Sequence, residues 1–147
     1  DPLKPEAARV LARLPGGGWF SFRFSPDGKQ LSYIEYRSAD SSDLWLMDVA
    51  SGESRRLTQQ AKCEPVAYRD AEFAPDGKGL YAISDRGSPF ARLVYLDIAS
   101  GKETPLAANL QADVESIAVS GEANRRRHTP HMSMIVTEIY YGCTCIR

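Results

Sequence analysis

The sequence predicts an all-β chain assembled from repeated four-stranded antiparallel units, and three observations carry that prediction. The first is a repeat. Phe24-Ser25-Pro26-Asp27-Gly28-Lys29 returns 49 residues later as Phe73-Ala74-Pro75-Asp76-Gly77-Lys78, and between residues 24 and 57 fourteen of 34 positions match their partners. Self-similarity at such a period marks a chain built from stacked supersecondary units. The second is periodicity: Tyr, Val, Ile and Phe alternate with polar residues in short runs, where helical repeats would need a 3.6-residue apolar stripe. The third is punctuation by Pro-Asp-Gly and Ala-Ser-Gly clusters, which suit tight turns.

In chain order, residues 5–14 combine helix formers with a Pro suited to a first turn. The repeat favours another reading, in which Ala8–Ala12 is the last strand of a preceding unit. Pro15-Gly16-Gly17-Gly18 is a connector. In Trp19–Phe24, alternation places Phe20, Phe22 and Phe24 on one strand face. Pro26-Asp27-Gly28 is then a turn, because Pro holds φ near −65° while Asp and Gly tolerate positive φ. Leu31–Arg37 is a second strand. Leu44–Val49 is a third, apolar on both faces, and so needs cover on both sides. Asp48 through Gly52 turns the chain into a short fourth strand around Arg55–Thr58. The second unit repeats this order, with strands near Ala67–Ala74, Gly79–Ser84, Leu93–Ile98 and Glu103–Ala107, and with Pro75, Asp76, Gly77, Asp97 and Gly101 at its turns. A four-stranded unit of roughly 40–50 residues with two apolar faces is the blade of a β-propeller.

The expected organisation is therefore a strand and connector of a preceding blade over 1–18, one blade over 19–60, a second over 61–110 and the start of a third over 111–120. In the third unit the turn hexamer becomes Val119-Ser120-Gly121-Glu122-Ala123-Asn124, and Arg125–His131 occupies the place of an apolar strand. Residues 121–147 are accordingly expected to be an atypical tail that is not native to the propeller.

Composition narrows the function. Eighteen Lys and Arg against 19 Asp and Glu, with Arg125–Arg127 as the only basic run, make no basic face for nucleic acid. No stretch approaches the roughly 18–20 apolar residues of a membrane-spanning helix. The chain opens on charged, Pro-rich Asp1–Pro5 and no signal peptide is read in it, so the compartment stays open between cytoplasm and periplasm or secretion. Three cysteines, Cys63, Cys143 and Cys145, do not form a small secreted disulfide framework.

The paired Phe-x-Pro-Asp-Gly-Lys and Leu-x-x-x-Asp-x-Ala-Ser-Gly motifs resemble the blades of TolB-type propellers. Gly17–Gly28, Leu44–Asp48 with Arg55-Arg56-Leu57-Thr58, Ala82–Gly87, Leu96–Lys102 and Asp113–Ser116 resemble the N-terminal propeller of the prolyl oligopeptidase family of serine peptidases. The likeness covers about residues 7–120. It implies a substrate-gating domain over a separate hydrolase domain, with a peptide substrate in the parent enzyme. The chain itself has no Gly-x-Ser-x-Gly elbow to expose a reactive Ser. The family's catalytic residues have no counterparts here, and no cofactor is expected. A TolB-like protein-interaction propeller is the alternative reading, and a stand-alone hydrolase using loop carboxylates is the second.

Most candidate site residues read as structural. Asp27, Gly28, Asp76 and Gly77 form turns, since nothing supplies the further oxygen ligands that Ca²⁺ needs. Asp48 and Asp97 are expected to accept hydrogen bonds from the Ala-Ser-Gly backbone that follows each. Glu35, Asp40 and Asp43 cluster in sequence, as do Asp85 and Arg86, and are expected to be solvated charges of propeller loops. Paired carboxylates can run glycoside hydrolysis in the right geometry, yet the second unit replaces the three acids with Ser84, Pro89 and Arg92. His128, His131, Cys143 and Cys145 are a weak candidate Zn²⁺ set, with a C-x-C tighter than usual.

Two blades and part of a third cannot close a ring. Apolar faces meant for neighbours, exemplified by Leu44, Trp45 and Leu46 against Val94 and Leu96, would be left wet, at roughly 25 cal/mol per Å². The chain is therefore expected to associate, with the N-terminal strand of one copy completing the unfinished blade of another. A two-fold dimer would then close a six-bladed ring.

Overall fold

The computed structural model describes residue 8 and residues 10–58, 64–120 and 131–137. Ten strands and no helix occur among them. The first sheet runs in order β1 (Trp19–Phe24), β2 (Gln30–Ser38), β3 (Ser41–Asp48) and β4 (Ser54–Arg56). The second repeats that order with β5 (Tyr68–Phe73), β6 (Gly79–Ser84), β7 (Arg92–Asp97) and β8 (Glu103–Pro105). A third sheet pairs β9 (Asp113–Ser120) with β10 (His131–Thr137). All neighbours are antiparallel. First strands of successive sheets touch, β1 on β5 and β5 on β9, whereas β4 and β8 do not meet. Sheets that converge at their first strands and splay at their last are propeller blades.

The same residue pattern gives each blade the same two faces. On blade 1, Ile34, Leu44, Leu46 and Leu57 pack with Tyr68, Ala71, Phe73, Leu80, Ala82, Val94 and Leu96 of blade 2. The opposite face of blade 2 packs Ile83, Leu93 and Tyr81 under Val114 and Ile117 of β9. The opposite face of blade 1 carries Leu31, Tyr33 and Met47 with Trp19 and Trp45, under Leu11 and Leu14. Leu44 and Leu46 are thus covered by Val94 and Leu96 instead of being left wet, and Trp45 lies half-buried on the other face.

One face assignment needs correcting. Phe20 pairs with Ile34 but Arg23 pairs with Ser32, so β1 carries one residue more than β2 between them. This bulge, with Ser21 at φ 53°, resets the alternation. Phe20 packs toward blade 2, while Phe22 stacks on Tyr33 across the other face at 5.7 Å. Strict alternation counts no extra residue, so it put the three Phe together.

The Ala8–Ala12 region likewise forms no strand among its described residues. A strand needs a ladder partner, and none is described beside it. Its place is nevertheless defined by the repeat. A Cβ built on Gly52 would meet the Leu11 carbonyl oxygen at 2.9 Å, and one on Gly101 would meet that of Leu57 at 3.7 Å. Leu11 thus lies over blade 1 where Leu57, just past β4, lies over blade 2. At the other end, the backbone of His131–Thr137 pairs with β9 and shifts register between Ile135 and Val136, opposite Ser116 and Val114. That shift falls at the place of the β5 irregularity between Tyr68 and Asp70.

Candidate functional site

The converging first strands bring polar side chains together at the hub of the blades. Ser21 donates to the Asp70 carboxylate at 2.7 Å, and the Ala71 N–H donates to the same oxygen at 2.9 Å. Arg23 donates to Glu72 through Nε and lies 3.7 Å from Asp70. That hydrogen bond to Glu72 raises the Arg23 pKa, although burial works against it. Arg69 continues the series with Asp113 at 3.5 Å. Ser21 is the only described non-glycine residue at positive φ, a conformation that costs a side-chain-bearing residue free energy. Its hydroxyl bond to Asp70 offsets part of that cost. The strip therefore presents guanidinium, carboxylate and hydroxyl groups along the hub, able to hold a polar or charged ligand through hydrogen bonds. None of these residues stood out as a motif. Their signal was the repeat itself, since Ser21 and Asp70, like Arg23 and Glu72, are 49 positions apart.

A second polar cluster lies farther out between the blades. A cleft of about 450 Å³ is lined by Leu57, Thr58, Arg86, Ser100, Gly101 and Glu103. The Tyr68 hydroxyl donates to Glu103, and Arg86 donates to Glu103 at 3.2 Å and to the Tyr68 oxygen at 3.1 Å. Burial, followed by the Glu103 carboxylate, pushes the Tyr68 phenol well above its ordinary value. This tyrosine stays neutral and cannot serve as a base near neutral pH.

The turn residues all lie on the blade rims. Asp27 accepts from the Lys29 N–H at 3.0 Å and the Ser25 hydroxyl at 2.7 Å, and Asp76 accepts from the Lys78 N–H at 3.0 Å. Gly28 and Gly77 follow Pro26-Asp27 and Pro75-Asp76 with φ of 70° and 69°. Asp48 accepts from the Ala50 and Ser51 N–H groups at 3.0 and 2.8 Å, and Asp97 accepts from Ser100 N–H at 2.7 Å. Hydrogen bonds from Ser25 to Asp27, and from Ser51 and Ser100 to Asp48 and Asp97, hold these three carboxyls below the usual carboxylate range. The two Pro-Asp-Gly turns border a cleft of about 570 Å³ with Lys29, Gln30 and Asp48.

The solvated-loop expectation needs correcting for two of the acids: Glu35 stands on β2 and Asp43 on β3, opposite each other in the ladder, and Asp40 alone lies in the connecting turn. Asp43 is buried and faces Arg37 at 2.8 Å and Arg56 at 3.4 Å, and Thr58 donates to it at 3.2 Å. Glu35 accepts from the Trp45 indole at 2.9 Å and Asp40 from Ser38. A general acid or base needs a free oxygen within reach of substrate. The partners of Asp43 and Glu35 instead hold the β2–β3 hairpin on the blade 1 face. Among the described residues no group of three His, Cys, Asp or Glu side chains could hold a metal ion. Of the candidate Zn²⁺ set, His128, Cys143 and Cys145 lie outside the described residues, and His131 is placed only by the backbone of β10.

No protein-family model and no curated protein matches the sequence. Solved structures do. Puromycin hydrolase is similar over 69% of this chain and 16% of its own length, at 27% identity and a TM-score of 0.57. TolB from Acinetobacter baumannii is similar over 91% of this chain and 33% of its own, at 20% identity and a TM-score of 0.61. A putative TolB from Agrobacterium tumefaciens shares 22% identity over 72% of this chain and 35% of its own, with a TM-score of 0.57. The chain thus spans about a sixth of the hydrolase and a third of the TolB chains. It is an all-β propeller fragment of the kind carried by the prolyl oligopeptidase and TolB families.

Proposed function

We propose that this propeller segment is a non-catalytic filter that gates substrate access to a serine hydrolase, of which puromycin hydrolase is the similar example. The observation that carries the reading is the polar strip at the hub. Ser21, Arg23, Asp70 and Glu72 line the converging strands with fixed donors and acceptors, while no Gly-x-Ser-x-Gly elbow stands anywhere in the chain. Such a strip suits the backbone amides and terminal charges of a short peptide, which it would orient without reacting with it. The hydrolase chemistry belongs to a separate domain.

The TolB-like interaction module is favoured by a different observation, the longer match of 91% of this chain. Sequencing the flanking DNA separates the two. A downstream frame encoding Gly-x-Ser-x-Gly is expected under the filter reading, and a continuous propeller with no such motif would sink it. The purified chain is expected to leave ester, peptide and glycoside substrates unchanged. Turnover that Asp43→Asn abolishes while circular dichroism shows the strands retained would favour the stand-alone carboxylate hydrolase instead.

A further inference from the structure

The two repeat units differ at three positions that lie side by side on one blade face. Gln30, Ser32 and Leu46 of the first unit become Gly79, Tyr81 and Tyr95 in the second, while the acids Asp27 and Asp48 are kept as Asp76 and Asp97. In the β6–β7 ladder Gly79 stands opposite Asp97, and Tyr81 opposite Tyr95. These four face away from blade 1, because the alternate residues Leu80, Ala82, Val94 and Leu96 are the ones packed against it. The three changes depend on one another. Tyr81 and Tyr95 meet edge to face at 5.6 Å, and a Cβ built on Gly79 would overlap the Tyr95 ring. Glycine weakens a strand interior and marks a place where another group approaches the backbone closely. Here that group is Tyr95.

The tyrosines do not seal an interface as their counterparts do. Ser32 and Leu46 are 0% and 3% exposed in the first unit, whereas Tyr81 and Tyr95 stay half-buried. Tyr81 packs against the cluster of Ile83, Leu93, Val114 and Ile117, and it also borders a cavity of about 370 Å³ with Ala74, Pro75 and Asp76. Asp76 uses Oδ1 to accept the Lys78 N–H. In the first unit Lys29 lies 4.0 Å from Asp27, but Asp76 forms no such pair among the described residues. Burial, then the charges of Asp76 and Asp97, raise the Tyr95 pKa, so the phenol is neutral and both carboxylates lie near it. Glu72, opposite Tyr81 in the ladder, is taken up by Arg23.

We propose that this cavity binds an organic ammonium cation between the Tyr81 ring and the Asp76 carboxylate. Tyr95 is a positioning residue that holds the Tyr81 ring, and Asp97 adds negative charge. An aromatic ring attracts a cation through its quadrupole, and the carboxylate supplies the counter-charge. Carbon groups on the nitrogen suit the apolar Ala74 and Pro75 walls. The site shares no residue with the hub strip and is read by ligand binding alone, so it can fail or hold without the filter reading.

The test is a proton NMR titration of the chain with choline and, in parallel, with its neutral carbon isostere, in which a tert-butyl group replaces the trimethylammonium. Choline is expected to shift the Tyr81 and Tyr95 ring resonances saturably, and the isostere to leave them in place. Butylammonium is titrated alongside. The tighter cation tells whether the natural head group is methylated or lysine-like, and binding of either supports the site. Tyr81→Ser installs the residue of the first unit and is expected to weaken choline binding by about tenfold, through loss of an aromatic wall. Asp76→Asn keeps an acceptor for the Lys78 N–H, so the turn persists, and is expected to weaken binding severalfold. Circular dichroism verifies the strands of both variants. Failure of both cations to bind would overturn the proposal. So would an isostere that binds as well as choline, or an affinity that either folded variant leaves unchanged.

Discussion

Asp48 and Asp97 show how a single side chain shapes this molecule. Each closes the loop after a blade's third strand by accepting backbone and hydroxyl hydrogen bonds from the following Ala-Ser-Gly. Those bonds favour the ionised form, so each folded pKa lies below its unfolded value. The stability they contribute is present above the ordinary carboxylate range and is lost as the pH falls through the lowered folded value. Asp97→Asn keeps an acceptor but removes the charge. Urea unfolding at pH 7 and pH 3 is expected to show a smaller loss of stability on acidification for the variant than for wild type, and an equal loss would contradict this account. The role of these two residues was legible in the sequence, because turn chemistry is local. Ser21, Arg23, Asp70 and Glu72 were not legible as a group, since their meeting depends on how strands from different blades converge.

At the scale of elements, local patterns located the strands but not every face. The six residues Gly79–Ser84 form β6 as their apolar run anticipates. In β1 the extra residue at Ser21–Phe22 redirects the strand, and no side-chain alternation announces a bulge. The glycine at each loop after a third strand carries a related constraint. Gly52 has φ 76° and the Leu11 carbonyl 2.9 Å from where a Cβ would stand, while Gly28 has φ 70° with open space around that point. Both Gly→Ala changes incur the left-handed penalty of about 1–2 kcal/mol. Only Gly52→Ala must also displace the N-terminal segment from blade 1. Chemical denaturation is expected to rank Gly52→Ala below Gly28→Ala, and the reverse order would mean that the Leu11 contact carries no weight.

For the whole molecule, the largest buried apolar cluster among the described residues spans both blades. Leu80 is fully buried in the cluster that joins blade 1 to blade 2, alongside Leu44, Leu96 and Val94. Leu80→Ala is expected to lower unfolding free energy by about 2–5 kcal/mol, through lost burial and the cavity left behind. A loss under about 1 kcal/mol would show that the two sheets do not unfold as one unit. The propeller was legible from the repeat because a 49-residue unit with two apolar faces has few ways to cover both. What covers the outermost face was not, since covering depends on residues outside the unit. One interval recurs throughout: Ser21 to Asp70 and Arg23 to Glu72 each span one full repeat. Every such bond links a unit to its immediate neighbour and reaches no further. Because the same two blade positions hold Ser and Arg in the first unit and Asp and Glu in the second, a tandem copy of either unit would set like group against like, so units that repeat in backbone are not interchangeable at this junction.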